Sequence, residues 1–378
     1  MMNRILSAIA LFMLVVSAPA ATPPIPAPPQ VAARAHLLFD FRTGEVLAES
    51  NIEQKMEPAS LSKIMTVYVI ASELAEGNIR LDDLVLVSEK AWRTKGSRMF
   101  IEVGKQVSVK DLLAGIVVQS GNDASVALAE HISGSEEVFA QLMNLHAQRL
   151  GLDGTHFVNS TGLPHPENYI TPHDIGMLAA ALIRDFPDIY ALFSIKDFTY
   201  NKIKQPNRNR LLWQDESVDG VKTGHTESAG YSLVVSAERE GMRLVSVVLG
   251  TDNEQDRVVA SQALLNYGFR FFETHHLYKA HEPLTSVRVW KGDPPSVDLG
   301  LSEDLYVTIP RHQYEDLKAV MDLEPQIIAP LDKGEQRGTL SLTLGGAELL
   351  QRSLIALQGV PEGGLWDRLA DQLRLLLQ

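Results

Sequence analysis

Cysteine is absent from this sequence of 378 residues. Its absence excludes disulfides, a thiolate nucleophile and any metal site that needs a cysteine ligand. The chemistry that remains available uses hydroxyl, amine, imidazole and carboxylate groups. The cellular compartment must therefore be inferred from other parts of the chain.

Basic residues are fewer than acidic ones: the chain has 34 Lys and Arg and 47 Asp and Glu, which gives a formal net charge of -13. The basic residues are also scattered along the chain, so a nucleic acid is not expected as a partner. With 45% hydrophobic and 21% charged residues, the chain has the composition of a globular protein. Its length favours two or three domains over one.

A long apolar run is missing as well, because the N-terminal apolar stretch covers only residues 5–16. A membrane-spanning helix needs roughly 20 such residues. Arg4 before the stretch and Ala18-Pro19-Ala20 after it are typical of a secretory signal peptide, with a single membrane anchor as the alternative. We predict an exported protein with a signal peptide at residues 1–20 and a proline-rich tether at residues 21–30.

The spacing of apolar residues predicts a helical middle between strands. Two strands flank the turn Arg42-Thr43-Gly44 and are expected at the edge of a sheet. Three- and four-residue spacing predicts helices at residues 60–74, 109–118, 124–131, 136–150 and 172–183. Clusters of β-branched residues predict strands at residues 220–223, 231–237 and 244–249, followed by a closing helix at 262–273. Together these elements predict an α/β domain whose first and last strands pair.

After about residue 284, apolar and polar residues alternate between turns, which predicts a small all-β domain. Residues 365–378 separate apolar and polar side chains on two faces of a helix. This helix is too short to span a bilayer but long enough to lie in its interface. The alternative is a terminal helix packed on the β domain or on a partner subunit. The predicted boundaries are 31–281 for the catalytic domain, 282–360 for the β-rich domain and 361–378 for the membrane-associating helix.

Ser60 and Lys63 open the first long helix. A spacing of three residues puts both side chains on one helix face, so the serine can share its proton with the lysine. A serine becomes a strong nucleophile only when a base takes that proton, and a lysine serves as the base when burial or a second cation lowers its pKa. The pair alone is a weak signal because both residue types are common.

Two more motifs strengthen the signal from Ser60 and Lys63. Ser120-Gly121-Asn122 lies between two predicted helices, and Lys222-Thr223-Gly224 lies on a predicted strand. An SxxK motif followed by SDN and then KTG is the motif set of penicillin-binding proteins and β-lactamases, and here SGN takes the middle place. We expect these motifs to meet in one cleft, where the amine of Lys222 helps to keep Lys63 uncharged.

The sequence resembles the low-molecular-mass penicillin-binding proteins, specifically D-alanyl-D-alanine carboxypeptidases of the penicillin-binding protein 5 type. The likeness runs from about residue 35 to the C-terminus and includes residues 157–163, 207–209 and 218–226 in addition to the three motifs. It implies a penicillin-recognising serine transpeptidase/β-lactamase-like α/β domain, a small all-β domain and a C-terminal amphipathic helix. In that family the helix holds the enzyme at the outer, periplasmic face of the inner membrane.

The resemblance also implies the catalytic roles. Ser60 would form the acyl-enzyme, Lys63 would accept its proton, and Ser120 would relay a proton to the leaving amine. The backbone N–H groups of Ser60 and His225 would form the oxyanion hole.

Substrate-binding roles follow in the same way. Asn122 would bind the peptide carbonyl, and Lys222 would add positive potential within the motif that ends at Gly224. Thr223 and Arg257 would hold the terminal carboxylate of the substrate. Asp185 and Arg208 occupy positions where the family has supporting residues.

The expected substrate is a peptidoglycan stem peptide that ends in D-Ala-D-Ala, and β-lactams are the expected inhibitors because they mimic it. The stem would dock along the strand of Lys222 as an extra strand. We expect no cofactor and no metal, since His275, His276 and His281 lack a ligand spacing typical of a metal site.

Three alternatives stay open. A β-lactamase of class A needs an ExxLN glutamate for deacylation, and no such motif lies between Asn122 and Lys222; Glu167 is followed directly by Asn168. A D,D-endopeptidase would use the same residues on crosslinked stems. An inactive scaffold that binds peptidoglycan through its β domain is the third alternative.

Overall fold

The computed structural model of the chain describes residues 25–376. The predicted signal peptide and the first four residues of the predicted tether lie outside the described residues. Residues 25–30 have no regular secondary structure. Within residues 25–376, no helix is both long and apolar enough to cross a bilayer.

The first unit mixes helices and strands. Its strands are β1 (Ala35–Asp40), β2 (Val46–Ser50), β3 (Leu84–Leu86), β4 (Gln106–Ser108), β5 (Asp197–Tyr200), β6 (Ile203–Pro206), β7 (Val218–Thr226), β8 (Gly230–Arg239) and β9 (Met242–Thr251). Its helices are α1 (Ser62–Ala75), α2 (Glu89–Arg93), α3 (Val109–Gln119), α4 (Asn122–Ser133), α5 (Glu136–Arg149), α6 (Pro172–Asp185), α7 (Pro187–Tyr190), α8 (Leu211–Gln214) and α9 (Glu254–Phe271). A 3-10 turn, Ala59–Leu61, leads directly into α1.

The central sheet is antiparallel, with the strand order β2-β1-β9-β8-β7. The predicted pairing of the first and last strands is confirmed, because β1 pairs with β9. Only β2 of the first hairpin lies at an edge; the prediction of two edge strands was wrong for β1, which has a neighbour on each side. The opposite edge of the sheet is β7, the strand that carries Lys222.

Strand periodicity separates two cores on the two faces of this sheet. Leu37 and Phe39 of β1 point into a large core shared with α1, α3, α4 and α6. Leu38 points into a second core, where Leu264 and Leu265 of α9 cover the sheet. Because successive strand residues point to opposite faces, one apolar strand can support both layers.

The predicted closing helix begins and ends earlier than expected. Helix α9 starts at Glu254, where Asn253 accepts a hydrogen bond from the backbone N–H of Asp256 at 2.9 Å and caps the helix. Glu273 belongs to the next strand. The earlier start matters for the site, because it puts Arg257 in the first turn of α9.

The second unit is built from β10 (Phe272–Tyr278), β11 (Thr285–Trp290), β12 (Ser296–Gly300), β13 (Leu305–Pro310), β14 (Leu317–Leu323), β15 (Ile327–Ile328), β16 (Gln336–Leu344), β17 (Ala347–Ala356) and the terminal helix α10 (Leu365–Leu375). Six strands form one sheet, and β10 pairs with β13. Because β10 joins this unit, we propose a boundary near residue 272 in place of the boundary between 281 and 282.

Hydrogen bonds join the two units. Asp40 is fully buried at the end of β1 and accepts the hydroxyl of Thr274 on β10 at 2.6 Å. The hydroxyls of Thr43 and Thr308 lie 2.7 Å apart beside it. The turn after β1 is therefore part of the junction between the units.

Helix α10 docks through its polar side. The carboxylate of Asp371 accepts hydrogen bonds from Arg288 at 2.7 Å and from the backbone N–H of Lys291 at 2.8 Å. On the other side of the helix, Trp366 and Leu373 are 81% and 64% exposed. The apolar face thus points away from the protein.

Candidate active site

Ser60 and Lys63 meet at the start of the first long helix. Ser60 lies on the 3-10 turn and is partly exposed, whereas Lys63 lies in the first turn of α1 and is fully buried. The Nζ atom of Lys63 lies 3.2 Å from the Oγ atom of Ser60. The predicted helix face therefore brings the two groups within hydrogen-bonding distance.

Two other oxygens complete the surroundings of the lysine. The Lys63 Nζ atom lies 2.6 Å from the side-chain oxygen of Asn122 and 2.6 Å from the carbonyl oxygen of Thr161. A neutral amine has two N–H groups and one lone pair. Asn122 and Thr161 offer only acceptors in these contacts, so the lone pair of a neutral Lys63 is left for the proton of Ser60.

The electrostatics favour that neutral form. Burial lowers the pKa of Lys63 to about 7, and the positive charge of Arg208 is the second cause. The carboxylates of Asp123 and Glu136 act in the opposite direction. Near neutral pH a large fraction of Lys63 is thus able to act as a base.

Ser120 ends α3 in a left-handed conformation, with φ of 63°. This conformation is uncommon for a residue with a side chain and often marks a functional position. Its Oγ atom lines the cleft and is buried, and it has no hydrogen-bond partner among residues 25–376. The hydroxyl is therefore available to a ligand in the cleft.

Asn122 begins α4 and is engaged at both ends of its amide. Its oxygen faces Lys63, and its Nδ2 atom donates to the carbonyl of Lys95 at 2.6 Å. A substrate carbonyl that binds to Nδ2 must share this donor with Lys95.

Strand β7 forms the opposite wall of the site. A Cβ atom on Gly224 would lie 3.2 Å from the carbonyl oxygen of Pro58 and 3.3 Å from Ala59, so glycine allows the strand to approach the turn that carries Ser60. Lys222 is buried on this strand, and burial, followed by the charges of Lys63 and Arg208, lowers its pKa well below the usual value.

The cleft between β7 and the helices has a volume of about 210 Å³. Its lining contains most of the predicted residues, namely Ser60, Ser120, Arg208, Thr223, Gly224, His225 and Arg257. Arg208 reaches it from a loop fixed by two buried neighbours: Asn207 donates to the carbonyl of Ile195, and Asn209 donates to that of Gly220.

Arg257 is buried and already has partners in the cleft. It donates to the carbonyl of Gly224 at 3.2 Å and to the carboxylate of Glu254 at 3.1 Å. Glu254 also accepts from Arg210 at 3.2 Å. A negative charge therefore lies beside the arginine that the resemblance assigned to a substrate carboxylate.

Asp185 does not line the cleft, and the expectation that it is a supporting residue of the site stays a prediction. Its carboxylate accepts from the hydroxyl of Tyr68 at 2.9 Å and from Arg184 at 2.7 Å. Because it lies at the C-terminus of α6 beside a separate pocket behind α1, Asp185 supports the helix of Lys63 from the rear.

Sequence reasoning missed three features of the site. The carbonyl of Thr161 is a backbone group, which no side-chain motif reveals. Glu254 was missed because the start of α9 was placed too late, although the N-cap pattern of Asn253 and Asp256 was a usable signal. Tyr231 lines the cleft, and its ring stacks on His225 with centroids 3.9 Å apart.

The histidines near the junction have local partners. His275 lies 3.3 Å from Glu273 and packs against Tyr314, and His276 stacks on Tyr306. In the part of the chain that the structure describes, no group of three or more His, Asp or Glu side chains is placed to hold a metal ion.

Comparison with known proteins gives matches over both units. A family model described as D-alanyl-D-alanine carboxypeptidase matches residues 22–253, and one described as penicillin-binding protein 5, C-terminal domain, matches residues 272–362. The D-alanyl-D-alanine carboxypeptidase DacC of Escherichia coli (strain K12) is 48% identical over 351 residues, which cover 91% of this chain and 88% of the relative.

Solved structures agree with these matches. Penicillin-binding protein 5 from Haemophilus influenzae is 43% identical, with a TM-score of 0.86 over 89% of this chain and 99% of the other. Penicillin-binding protein D2 from Listeria monocytogenes in its ampicillin-bound form is 30% identical, with a TM-score of 0.59 over 63% of this chain and 98% of the other.

Proposed function

The chain belongs to the D-alanyl-D-alanine carboxypeptidase family, and from that membership we propose that Ser60 is the residue acylated when the enzyme removes the terminal D-alanine of a peptidoglycan stem. The enzyme is a serine-type hydrolase of cell-wall peptides. The observation that carries the assignment to Ser60 is the Lys63 amine, which lies 3.2 Å from its hydroxyl.

Acylation begins with proton transfer from Ser60 to Lys63. The serine oxygen forms a bond to the carbonyl carbon of the penultimate D-alanine, and the backbone N–H groups of Ser60 and His225 stabilise the oxyanion. Ser120 then donates its proton to the departing nitrogen and takes the proton held by Lys63, as the C–N bond breaks and D-alanine leaves. Water hydrolyses the ester and regenerates the serine.

The substrate is held mainly by charge. Thr223 and Arg257 bind the terminal carboxylate, and the amide of Asn122 binds the peptide carbonyl. Arg208 adds positive potential to a cleft that receives an anion, and Lys222 adds to this potential in its protonated form. Because β7 is an edge strand of the central sheet among the described residues, the stem pairs with it as an additional strand.

Product analysis tests this function. The peptide diacetyl-L-Lys-D-Ala-D-Ala is incubated with the enzyme, and D-alanine and the shortened peptide are quantified by liquid chromatography and mass spectrometry. We expect equal amounts of the two products from the parent enzyme and none from Ser60→Ala. Ser62→Ala is a matched control, because it removes a neighbouring buried hydroxyl that has no hydrogen-bond partner among the described residues.

Two results would contradict the assignment. Hydrolysis by Ser60→Ala at the parental rate would exclude Ser60 as the nucleophile. Rapid and repeated turnover of penicillin by the parent enzyme would favour a β-lactamase, since slow deacylation is what makes a β-lactam an inhibitor.

We also propose that α10 associates with the surface of a membrane, so that the enzyme works in the periplasm at the outer face of the inner membrane. Support comes from the docking of the helix through Asp371, which turns Trp366, Leu369 and Leu373 outward. A helix that is fixed by its polar side and exposes an apolar side has the orientation needed for an interface.

A further inference from the structure

A second groove lies beside the active-site cleft. It has a volume of about 600 Å³ and runs between the segment before Ser60 and the loop after Gly162. Its walls include Lys55 and Glu57 on one side and His165, Asn168 and Tyr169 on the other. We call it the flanking groove.

A hydrogen bond connects one wall of the flanking groove to the turn after strand β7. Glu57 is separated from Ser60 by only Pro58 and Ala59, and its carboxylate accepts a hydrogen bond from the hydroxyl of Ser228. Ser228 lies in the turn between β7 and β8. One wall of the groove thus adjoins both the nucleophile and the edge strand.

The direction of the substrate leads towards this groove. With the terminal carboxylate at Thr223 and the scissile carbonyl at the N–H of His225, the stem runs antiparallel to β7. Earlier stem residues then follow β7 past Thr226 towards Ser228 and Glu57. An extended chain rises about 3.3 Å per residue, so the stem residues two or three positions before the scissile bond lie roughly 7 to 10 Å from the nucleophile.

We propose that the flanking groove binds the part of the peptidoglycan stem that precedes the D-Ala-D-Ala end. The inference rests on the proposed function and extends the site from a dipeptide to a longer segment. It predicts that the enzyme prefers a whole stem to a short peptide.

The side chains of the flanking groove indicate which charged groups the bound stem segment has. The Oε1 atom of Glu57 and the Oδ1 atom of Asn168 are buried and have no hydrogen-bond partner within residues 25–376, so both are acceptors for an ammonium or N–H group. Lys55 is exposed, with its ammonium 4.2 Å from the ring centroid of Tyr169, and can pair with a carboxylate. The fitting ligand is a stem segment that carries a free ammonium group and a free carboxylate.

Two substrates separate this site from the catalytic cleft. The long substrate is a soluble pentapeptide stem with its amine and carboxylates free, and the short one is diacetyl-L-Lys-D-Ala-D-Ala, whose amines are blocked. We expect Glu57→Gln and Lys55→Gln each to lower kcat/KM for the long substrate by about threefold to fivefold, the effect of losing one partly exposed ion pair. The value for the short substrate should stay the same.

Glu53→Gln is the matched control, because Glu53 is an exposed carboxylate on the same segment and does not line the groove. It should leave both values unchanged. Equal losses on both substrates, or no loss on the long one, would overturn the proposal. Lys55 is exposed, so its variant tests the idea even if Glu57→Gln folds poorly. Failure of the parent enzyme to cleave either substrate would instead refute the proposed function.

Discussion

Lys63 shows how single residues set the chemistry. Its pKa is lowered to about 7 first by burial and then by Arg208, whereas the expectation from sequence assigned the second effect to Lys222. Lys222 is itself affected in the same direction by Lys63. The three motifs indicated which groups meet, but the ranking of their effects depends on burial, which the sequence does not contain.

Replacement of Arg208 tests this ranking. Arg208→Gln removes a positive charge that disfavours the ammonium form, so the pKa of Lys63 should rise. Because the base must be neutral, the acidic limb of the pH profile of kcat/KM should move to higher pH. The profile is measured with diacetyl-L-Lys-D-Ala-D-Ala between about pH 5 and pH 9. Arg149→Gln, an exposed change on α5, is the control, and an unshifted limb in Arg208→Gln would contradict the account.

Glu254 provides a second test at this scale. Its carboxylate lies 3.1 Å from Arg257, so it competes with the carboxylate of the substrate for the same guanidinium. Glu254→Gln should lower KM by about twofold to fivefold, with kcat nearly constant. Steady-state kinetics measure both values, and Asp252→Asn, an exposed carboxylate just before α9, is the control. A raised KM would mean that Glu254 positions Arg257 and does not compete with the substrate.

At the scale of elements, the loop that carries Thr161 depends on one glycine. Gly162 has φ of +79°, and a Cβ atom there would lie 1.6 Å from the carbonyl oxygen of Ala59. Asn159 holds the loop by accepting the N–H groups of Thr161 and Gly162. This arrangement brings the Thr161 carbonyl to Lys63.

Gly162→Ala should therefore lower the free energy of unfolding by more than the cost of a positive φ at an alanine, because the added methyl group also clashes with Ala59. Gly134 is a matched control, since it has φ of +76° and, among the residues that the structure describes, no atom within 4 Å of the position of a Cβ. Gly134→Ala should cost about 1 to 2 kcal/mol of unfolding free energy without loss of activity. Gly162→Ala should lose more unfolding free energy than Gly134→Ala, as measured by urea unfolding. It should also lower the rate of acylation, as measured by penicillin labelling. Equal effects of the two variants would contradict the packing argument.

The sequence predicted the longer helices and the strands of the central sheet, because the periodicity of apolar residues is local. Helices α1 and α3 to α6 lie where the spacing indicated, to within a few residues at each end. The interior place of β1 could not be predicted, since it depends on pairing with β9, about 200 residues later in the chain. The start of α9 depends on a local signal, because Asn253 caps the helix by accepting the N–H of Asp256 three residues later.

At the scale of the whole molecule, the predicted faces of the last helix were confirmed only in part. The pattern separated an apolar face from a polar one, but it did not reveal that Asp371 would attach the polar face to Arg288 and Lys291. Such contacts join residues about 80 positions apart in the chain. They require the tertiary structure.

Membrane association can be tested on the same helix. Leu373→Gln removes an exposed apolar side chain, and we expect less protein to sediment with phospholipid vesicles, while carboxypeptidase activity in solution stays the same. Removal of residues 365–378 should abolish sedimentation. Leu84→Gln is a control at a leucine of similar exposure on β3, 57% against 64% for Leu373. Unchanged sedimentation of the truncated protein would refute the role of α10.

We expect Ser60 to be acylated because Lys63 is uncharged near neutral pH. The most direct test is to measure the acylation of the enzyme by penicillin at a series of pH values. Rapid quenching followed by peptide mapping with mass spectrometry gives both the site and the rate. We predict one adduct, on Ser60, formed at a rate that rises as the pH increases through about 7. An adduct on another residue, or a rate that does not change across this range, would contradict the account.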